Sequence, residues 1–209
     1  ALAQRNALQA LVNDAAELDA ESLSHYYAML LKSADAQVEL LYNLLDWARV
    51  QTGRIPFTPV TFSLSRVVED EVSLMHMPIE SKSIRLTVDV SDDLCANADR
   101  NMVATVLRNL LTNAIKFSHP EGRIAISARQ DGAWITVSVA DDGVGMSADK
   151  LRTLFDAGRE QSTRGTRGET GSGLGLVVCK HFVERNGGRL TAHSEESRGT
   201  TFHFTLKAK

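Results

Sequence analysis

The sequence has 209 residues, 43% of them hydrophobic, enough for one or two domains with cores of their own, and its net charge of -3 makes no electrostatic case for nucleic acid. No apolar run approaches the roughly 18 to 20 residues that a membrane-spanning helix needs, and no signal peptide is visible, so a soluble cytoplasmic chain without direct membrane contact is expected. Cys95 and Cys179 lack metal-ligand spacing and lie in apolar stretches, which points to reduced, buried thiols rather than a disulfide.

In chain order, Leu8, Leu11, Ala15 and Leu18 repeat at three-four spacing and predict a helix before the break at Asp19-Ala20-Glu21-Ser22. A second helix is expected from Ser22 to Thr52, with Leu23, Tyr27, Leu30, Ala34, Gln37, Leu41, Leu44 and Ala48 in heptad order. At 1.5 Å per residue it would be roughly 45 Å long, too long for its short antiparallel partner to cover. Two chains pairing into a four-helix bundle are therefore expected, the alternative being a monomeric hairpin leaning on the second domain. Gly53 ends that helix, and Pro56 and Pro59 stiffen the crossing into a short strand over 57–62. This sets a boundary between a hairpin domain, 1–55, and a second domain, 56–209.

A helix from Ser65 to Ile79 follows, with Val67, Val68, Val72 and Met75 inward, then a strand in which Ile84, Leu86, Val88 and Val90 alternate with polar residues. Asp99 is placed to cap the next helix. In that helix Val103, Val106, Leu107, Leu110, Leu111, Ala114 and Ile115 form a wide apolar stripe, while Asn109, Asn113 and Lys116 stand close to one polar face. An amide carbonyl can ligate a hard cation such as Mg²⁺, and an adjacent ammonium can hold a phosphate oxygen; the plainer reading is the wet side of a surface helix. Strands over Ile124 to Ala128 and Trp134 to Val139 form a hairpin around Asp131-Gly132. Asp141-Asp142-Gly143-Val144-Gly145 then sets a carboxylate at a strand end, followed by glycines that admit a ligand close to the backbone. Ser147 can cap a short helix ending near Phe155. Residues 157–170 hold glycines, Arg159, Arg164 and Arg167, and no apolar side chain larger than alanine, so they form a loop, either a lid or a surface insertion. Gly171-Ser172-Gly173-Leu174-Gly175 opens a helix running to Asn186, and free N–H groups at such a start suit a polyphosphate. The turn Gly187-Gly188 and strands over Arg189 to His193 and Thr200 to Leu206 complete an α/β sandwich.

In that order, these segments resemble the N, G1 and G2 boxes of the sensor histidine kinases, in the GHKL class of ATPases, over about residues 57 to 209. Residues 1 to 56 resemble, less closely, the dimerisation and histidine phosphotransfer hairpin of the same family. The resemblance implies an α+β chain, a helical hairpin of a dimeric four-helix bundle followed by an α/β sandwich of the GHKL (Bergerat) type. It implies ATP and Mg²⁺ as ligands. Asp141 would accept from the adenine amine, Asn113 would bind Mg²⁺, Asn109 would orient phosphates or water, and Lys116 would touch phosphate, the last two serving in catalysis. Gly143, Gly145 and Phe155 would belong to the nucleotide site, with Gly171, Ser172, Gly173, Leu174 and Gly175 around the phosphates. For each lid arginine, contact with the γ-phosphate and a solvated role both stay open. The implied partners are a second copy of the chain and the receiver domain of a response regulator.

The phosphoacceptor is the departure. Hairpins of the family open with His, an acidic residue, then Arg or Lys two positions on, a polar residue and Pro, and only Leu2-Ala3-Gln4-Arg5-Asn6-Ala7 resembles that. Arg5 and Asn6 match, Leu2 stands in place of His, Ala3 of the acid, and Ala7 of Pro. His25 follows the turn, at the wrong end of the bundle. Asn6 occupies the place of the family's phosphatase amide, without the neighbouring acid. Two readings follow: the core of a histidine kinase whose acceptor lies upstream of Ala1 or is substituted, or a kinase-like dimer that binds ATP or a regulator without autophosphorylation.

Overall fold

The computed structural model describes residues 56–156, 165–169 and 173–209, and in the N-terminal part residues 5, 8, 9, 11, 12, 19–24, 26–31, 33, 34, 37 and 41. The chain divides into two compact units, Ala1–Leu45 and Asp46–Lys209. In the first, every described residue except Asp19 is helical. The Asp19 carboxylate accepts the Ser22 N–H at 2.8 Å, so the helix expected from Ser22 begins at Ala20, with Asp19 as its cap. Leu23, Leu30, Ala34 and Gln37 of the expected seam are half-buried, whereas Tyr27 and Leu41 are exposed. Leu2, Ala3, Asn6, Ala7 and His25, on which the phosphoacceptor reading turns, lie outside the described residues.

The second unit begins with β1 (Val60–Ser63), α1 (Leu64–Leu74), α2 (His76–Ser81), β2 (Arg85–Asp89), β3 (Cys95–Ala98) and α3 (Arg100–Phe117). It continues with β4 (Arg123–Asp131), β5 (Trp134–Asp141), α4 (Ala148–Arg152), α5 (Gly175–Arg185), β6 (Leu190–Glu195) and β7 (Gly199–Lys207). Five strands form one mixed sheet in the order β2-β4-β5-β7-β6, in which β2 runs parallel to β4 and the other pairs are antiparallel. β1 and β3 make a separate antiparallel ribbon.

Alternation along the pleat divides the sheet into a dry and a wet face. Ile124 and Ile126 of β4, Ile135, Val137 and Val139 of β5, and Phe202, Phe204 and Leu206 of β7 are buried with the apolar stripe of α3 and with Val178, Cys179, Phe182 and Val183 of α5. The intervening positions of β5 and β7, Thr136, Ser138, His203 and Thr205, are polar, and Ser138 Oγ meets His203 Nδ1 at 2.7 Å. Every residue of the expected α3 stripe is buried. Removing a side chain such as Leu110 from this layer would cost about 2–5 kcal/mol. Cys95 and Cys179 are free thiols, Cys179 fully buried and Cys95 half-buried. Burial pushes the Cys179 thiol far up, and its Sγ lies 3.9 Å from the carbonyl oxygen of Val106 on α3.

Asp99 caps α3 as expected, its Oδ1 accepting from the N–H groups of Asn101 at 3.1 Å and Met102 at 3.2 Å. Its Oδ2 also accepts the Thr58 N–H at 2.9 Å. A bidentate pair from Arg108 Nε and Nη2 to the buried Glu71, at 2.8 and 3.0 Å, ties α3 to α1.

Three expectations change. The single helix over 65–79 is two, broken at Met75, because the ring of Pro78 conflicts with the Leu74 carbonyl four residues back in a continuous helix. The strand expected over 57–62 starts at Val60, after Pro59, which has no N–H to give to a ladder. The strand β3 was not expected at all: four residues, Cys-Ala-Asn-Ala, present too little alternation to be read.

Candidate functional site

α3 supplies the floor of the site. Asn109, Asn113 and Lys116 are all half-buried along it. Asn109 Nδ2 donates to the Thr105 carbonyl at 3.0 Å, which leaves Oδ1 against Gly175, where a Cβ would overlap it. The side-chain amide of Asn113, one turn further on, makes no hydrogen bond with another described residue. Lys116 Nζ sits 4.9 Å from the centre of the Phe117 ring, and Lys150 Nζ of α4 sits 5.7 Å from it. Burial holds the Lys150 amine below the ordinary lysine range.

The carboxylate of Asp141 is placed by the end of β5. Its Oδ1 accepts the Gly143 N–H at 3.0 Å, and the Thr200 N–H also points to it from the neighbouring β7. Burial pushes this carboxyl up to about 6, against the pull of those two N–H groups, and the charge of Asp142 adds to the rise. A half-buried acceptor with two backbone donors is thus held at the mouth of the glycine loop.

That loop needs its glycines for close approach. A Cβ on Gly143 would run into the Phe117 carbonyl oxygen, which also accepts the Val144 N–H at 3.1 Å, so the loop is seated on the end of α3. Gly145 has φ +63°, and a Cβ there would strike the Glu195 carbonyl. The Val144 carbonyl accepts Ser197 N–H at 2.8 Å on the other side. Phe155, beyond the short helix capped by Ser147, packs half-buried against the core.

The described part of the second glycine segment, residues 173–175, meets α3 at Asn109. Gly173 has φ +72°, a left-handed turn that glycine adopts at no steric cost, and Gly175 begins α5. Among the described residues no side chain caps α5, and its first residue, Gly175, lies against the Asn109 amide oxygen, so the positive end of the helix dipole begins beside Asn109. Gly171, Ser172, Arg159 and Arg164 lie outside the described residues, and Arg167 is exposed.

Asn109, Asn113 and Lys116 are therefore brought together with Asp141-Gly143 at one end and Gly173-Leu174-Gly175 at the other. Lys82, Lys150, Phe117 and Thr200 join them without having been singled out as site residues. Phe117 sits one residue beyond Lys116 and was legible in principle. Lys150 and Lys82 lie in polar runs, where nothing local separates a solvated lysine from a positioned one. Among the described residues no cluster of three or more His, Cys, Asp or Glu could hold a metal. No described helix is long and apolar enough to cross a membrane.

Residues 98–209 match the family model described as histidine kinase-, DNA gyrase B-, and HSP90-like ATPase. Sensor protein GacS of Pseudomonas syringae pv. syringae is 30% identical over 189 residues, covering 87% of this chain and 21% of that protein. The chain thus spans about a fifth of the length of the curated relatives it matches first. Among solved structures, full-length ShkA in complex with AMPPNP superposes with a TM-score of 0.72 at 25% identity, over 96% of this chain and 42% of that one. Histidine kinase ThkA in complex with response regulator protein TrrA gives 0.73 at 20% identity, over 99% of this chain and 59% of that one, a likeness of fold alone.

Proposed function

The chain belongs to the histidine kinase-, DNA gyrase B-, and HSP90-like ATPase family, and from that premise we propose that it is the catalytic core of a two-component sensor histidine kinase. Its domains would be a dimerisation hairpin, 1–55, and an ATP-binding domain, 56–209. The parent protein would pass the γ-phosphoryl group of ATP to a histidine nitrogen, with ADP leaving, and then to an aspartate of a response regulator.

The observation that carries the reading is the position of Asn113. It lies on α3 between the junction of Asn109 with Gly175 and the junction of Phe117 with the Gly143 loop, and its amide has no hydrogen-bond partner among the described residues. Asp141 would read the adenine amine, and the N–H groups opening α5 would take the phosphates together with Lys116. Asn113 would hold Mg²⁺, whose role in such chemistry is to neutralise and orient the phosphate oxygens. Asn109, fixed through Thr105, would orient the phosphate chain or a water. Phosphoryl transfer asks mainly for positioning and charge neutralisation, which these groups can supply.

Support for a homodimer comes from the first unit, where Val12, Tyr27, Leu31 and Leu41 are 58–77% exposed. Support for a response-regulator partner comes from the ThkA–TrrA complex.

Titration with ATP and GTP, with and without Mg²⁺, followed by incubation with γ-labelled ATP, tests the proposal. ATP is expected to bind in preference to GTP. The 209-residue chain is expected to remain unlabelled, because neither leucine nor alanine can accept phosphate where the family has its histidine, while a chain with histidine restored there takes up acid-labile label. Binding of neither nucleotide, or label on His25 of the unaltered chain, would contradict it.

A further inference from the structure

Lys82 follows α2 in the polar run Glu80-Ser81-Lys82-Ser83, yet its side chain is only 3% exposed. Its ammonium reaches four oxygens: the carbonyls of Ile115 at 2.7 Å and Lys116 at 3.1 Å, Thr166 Oγ1 at 2.8 Å and Glu169 Oε1 at 2.6 Å. The first two are among the last carbonyls of α3, which have no partners within the helix and carry the negative end of its dipole. The other two belong to residues 165–169, which precede Gly173-Leu174-Gly175. Further bonds join the same two elements. The Thr166 N–H donates to Lys116 O at 3.1 Å, and Thr166 Oγ1 donates to Ser118 O at 2.7 Å. Gly165 packs so closely on Lys116 that a Cβ would lie 2.7 Å from its carbonyl oxygen.

A buried ammonium is costly unless it is paired and fully hydrogen-bonded. Here Glu169 supplies the countercharge. Burial pushes the Glu169 carboxyl up, but hydrogen bonds from Lys82 and from the backbone, with the charge of Lys82, bring it below the ordinary range.

We propose that Lys82 is a positioning residue of the nucleotide site, fastening residues 165–169 to the last turn of α3 and thereby holding the glycine segment at α5 in register with Asn113 and Lys116. This rests on the reading of the site as a nucleotide site. Lys82 is not itself a ligand of the nucleotide. Its influence is expected to fall chiefly on the phosphate half, because the adenine acceptor Asp141 is held by the Gly143 and Thr200 N–H groups.

The test compares ATP with adenosine in the wild-type chain, Lys82→Met and Glu169→Gln. Lys82→Met is expected to lose about tenfold or more in ATP affinity, as removal of a supporting residue commonly does, with adenosine affinity unchanged. Glu169→Gln removes a countercharge that is 28% exposed, so the chain still folds if Lys82→Met does not; it is expected to lose ATP affinity selectively and to a smaller degree. In both variants the Thr166 and Gly168 amides are expected to exchange hydrogen faster without nucleotide. Equal losses for ATP and adenosine, or faster exchange with ATP affinity intact, would overturn the proposal. A wild-type chain that binds neither ligand would sink the nucleotide reading instead, while the exchange rates still report whether Lys82 holds the segment.

Discussion

The side-chain oxygen of Asn109 lies against Gly175 so closely that a methyl group on residue 175 would overlap it. Gly175→Ala need not disturb the fold, since alanine is a good helix former and only the end of the Asn109 side chain has to swing aside. That swing breaks the Asn109 to Thr105 bond and moves Oδ1 within the site. We expect a melting temperature close to that of the wild type and a loss of about 10- to 100-fold in ATP affinity, the usual cost of misplacing a positioning group. Calorimetric titration beside thermal unfolding separates the two effects.

Asp141 predicts a pH dependence whose sign is fixed. Its carboxyl is at about 6 in the folded chain against an ordinary value of 3.8, so the folded state holds the proton more tightly. Stability from this group is complete below the unfolded value and is lost as pH rises through about 6. Asp141→Asn, which cannot ionise, is therefore expected to raise the melting temperature more at pH 8 than at pH 4.

For the nucleotide the sign reverses. The adenine amine needs an acceptor, so wild-type ATP affinity is expected to fall as pH drops below about 6, approaching about tenfold per pH unit, and Asp141→Asn is expected to show a weak, flat profile. An affinity independent of pH between 5 and 8 in the wild type would remove Asp141 from the site.

Asn113→Ala deletes an amide that has no partner among the described residues, so its effect on stability should stay within about 0.5 kcal/mol. The gain in ATP affinity on adding Mg²⁺ is expected to disappear in this variant. If the Mg²⁺ effect survives unchanged, Asn113 does not hold the ion.

The first unit predicts a dimer that charge can break. Tyr27 and Leu41 are both 58% exposed on the expected seam, and glutamate at both positions would bury like charges against their copies. Sedimentation at micromolar concentration should give a dimer for the wild type and a monomer for the double variant. A wild-type monomer would contradict the four-helix arrangement.

The parts of the fold set by repeating pattern or by a strong local signal were legible in advance. The α3 stripe, the Asp99 cap and the hairpin at Asp131-Gly132 depend on residues within a turn or two of one another. What escaped depended on distant partners. β3 is a strand because β1 pairs with it, and Lys82 is buried because the end of α3 and residues 165–169 converge on it from over 30 and over 80 positions away. The break at Met75 lay between: Pro78 announces it, but the apolar spacing across the break hides it. In the site, the glycine positions were legible as an approach to a ligand. That they are equally required by the chain's own carbonyls, those of Phe117 and Glu195, emerges only from the packed structure.

The burial of Cys179 turns α5 into its own reporter. Its thiol, packed on α3 and held far above the ordinary range, cannot react with an alkylating reagent until the two helices part. With Cys95 changed to serine, the rate of modification at residue 179 becomes a clock for that opening. Any ligand seated on the N-terminus of α5 should slow the clock by the factor with which it favours the closed form, so affinity can be followed without a labelled nucleotide.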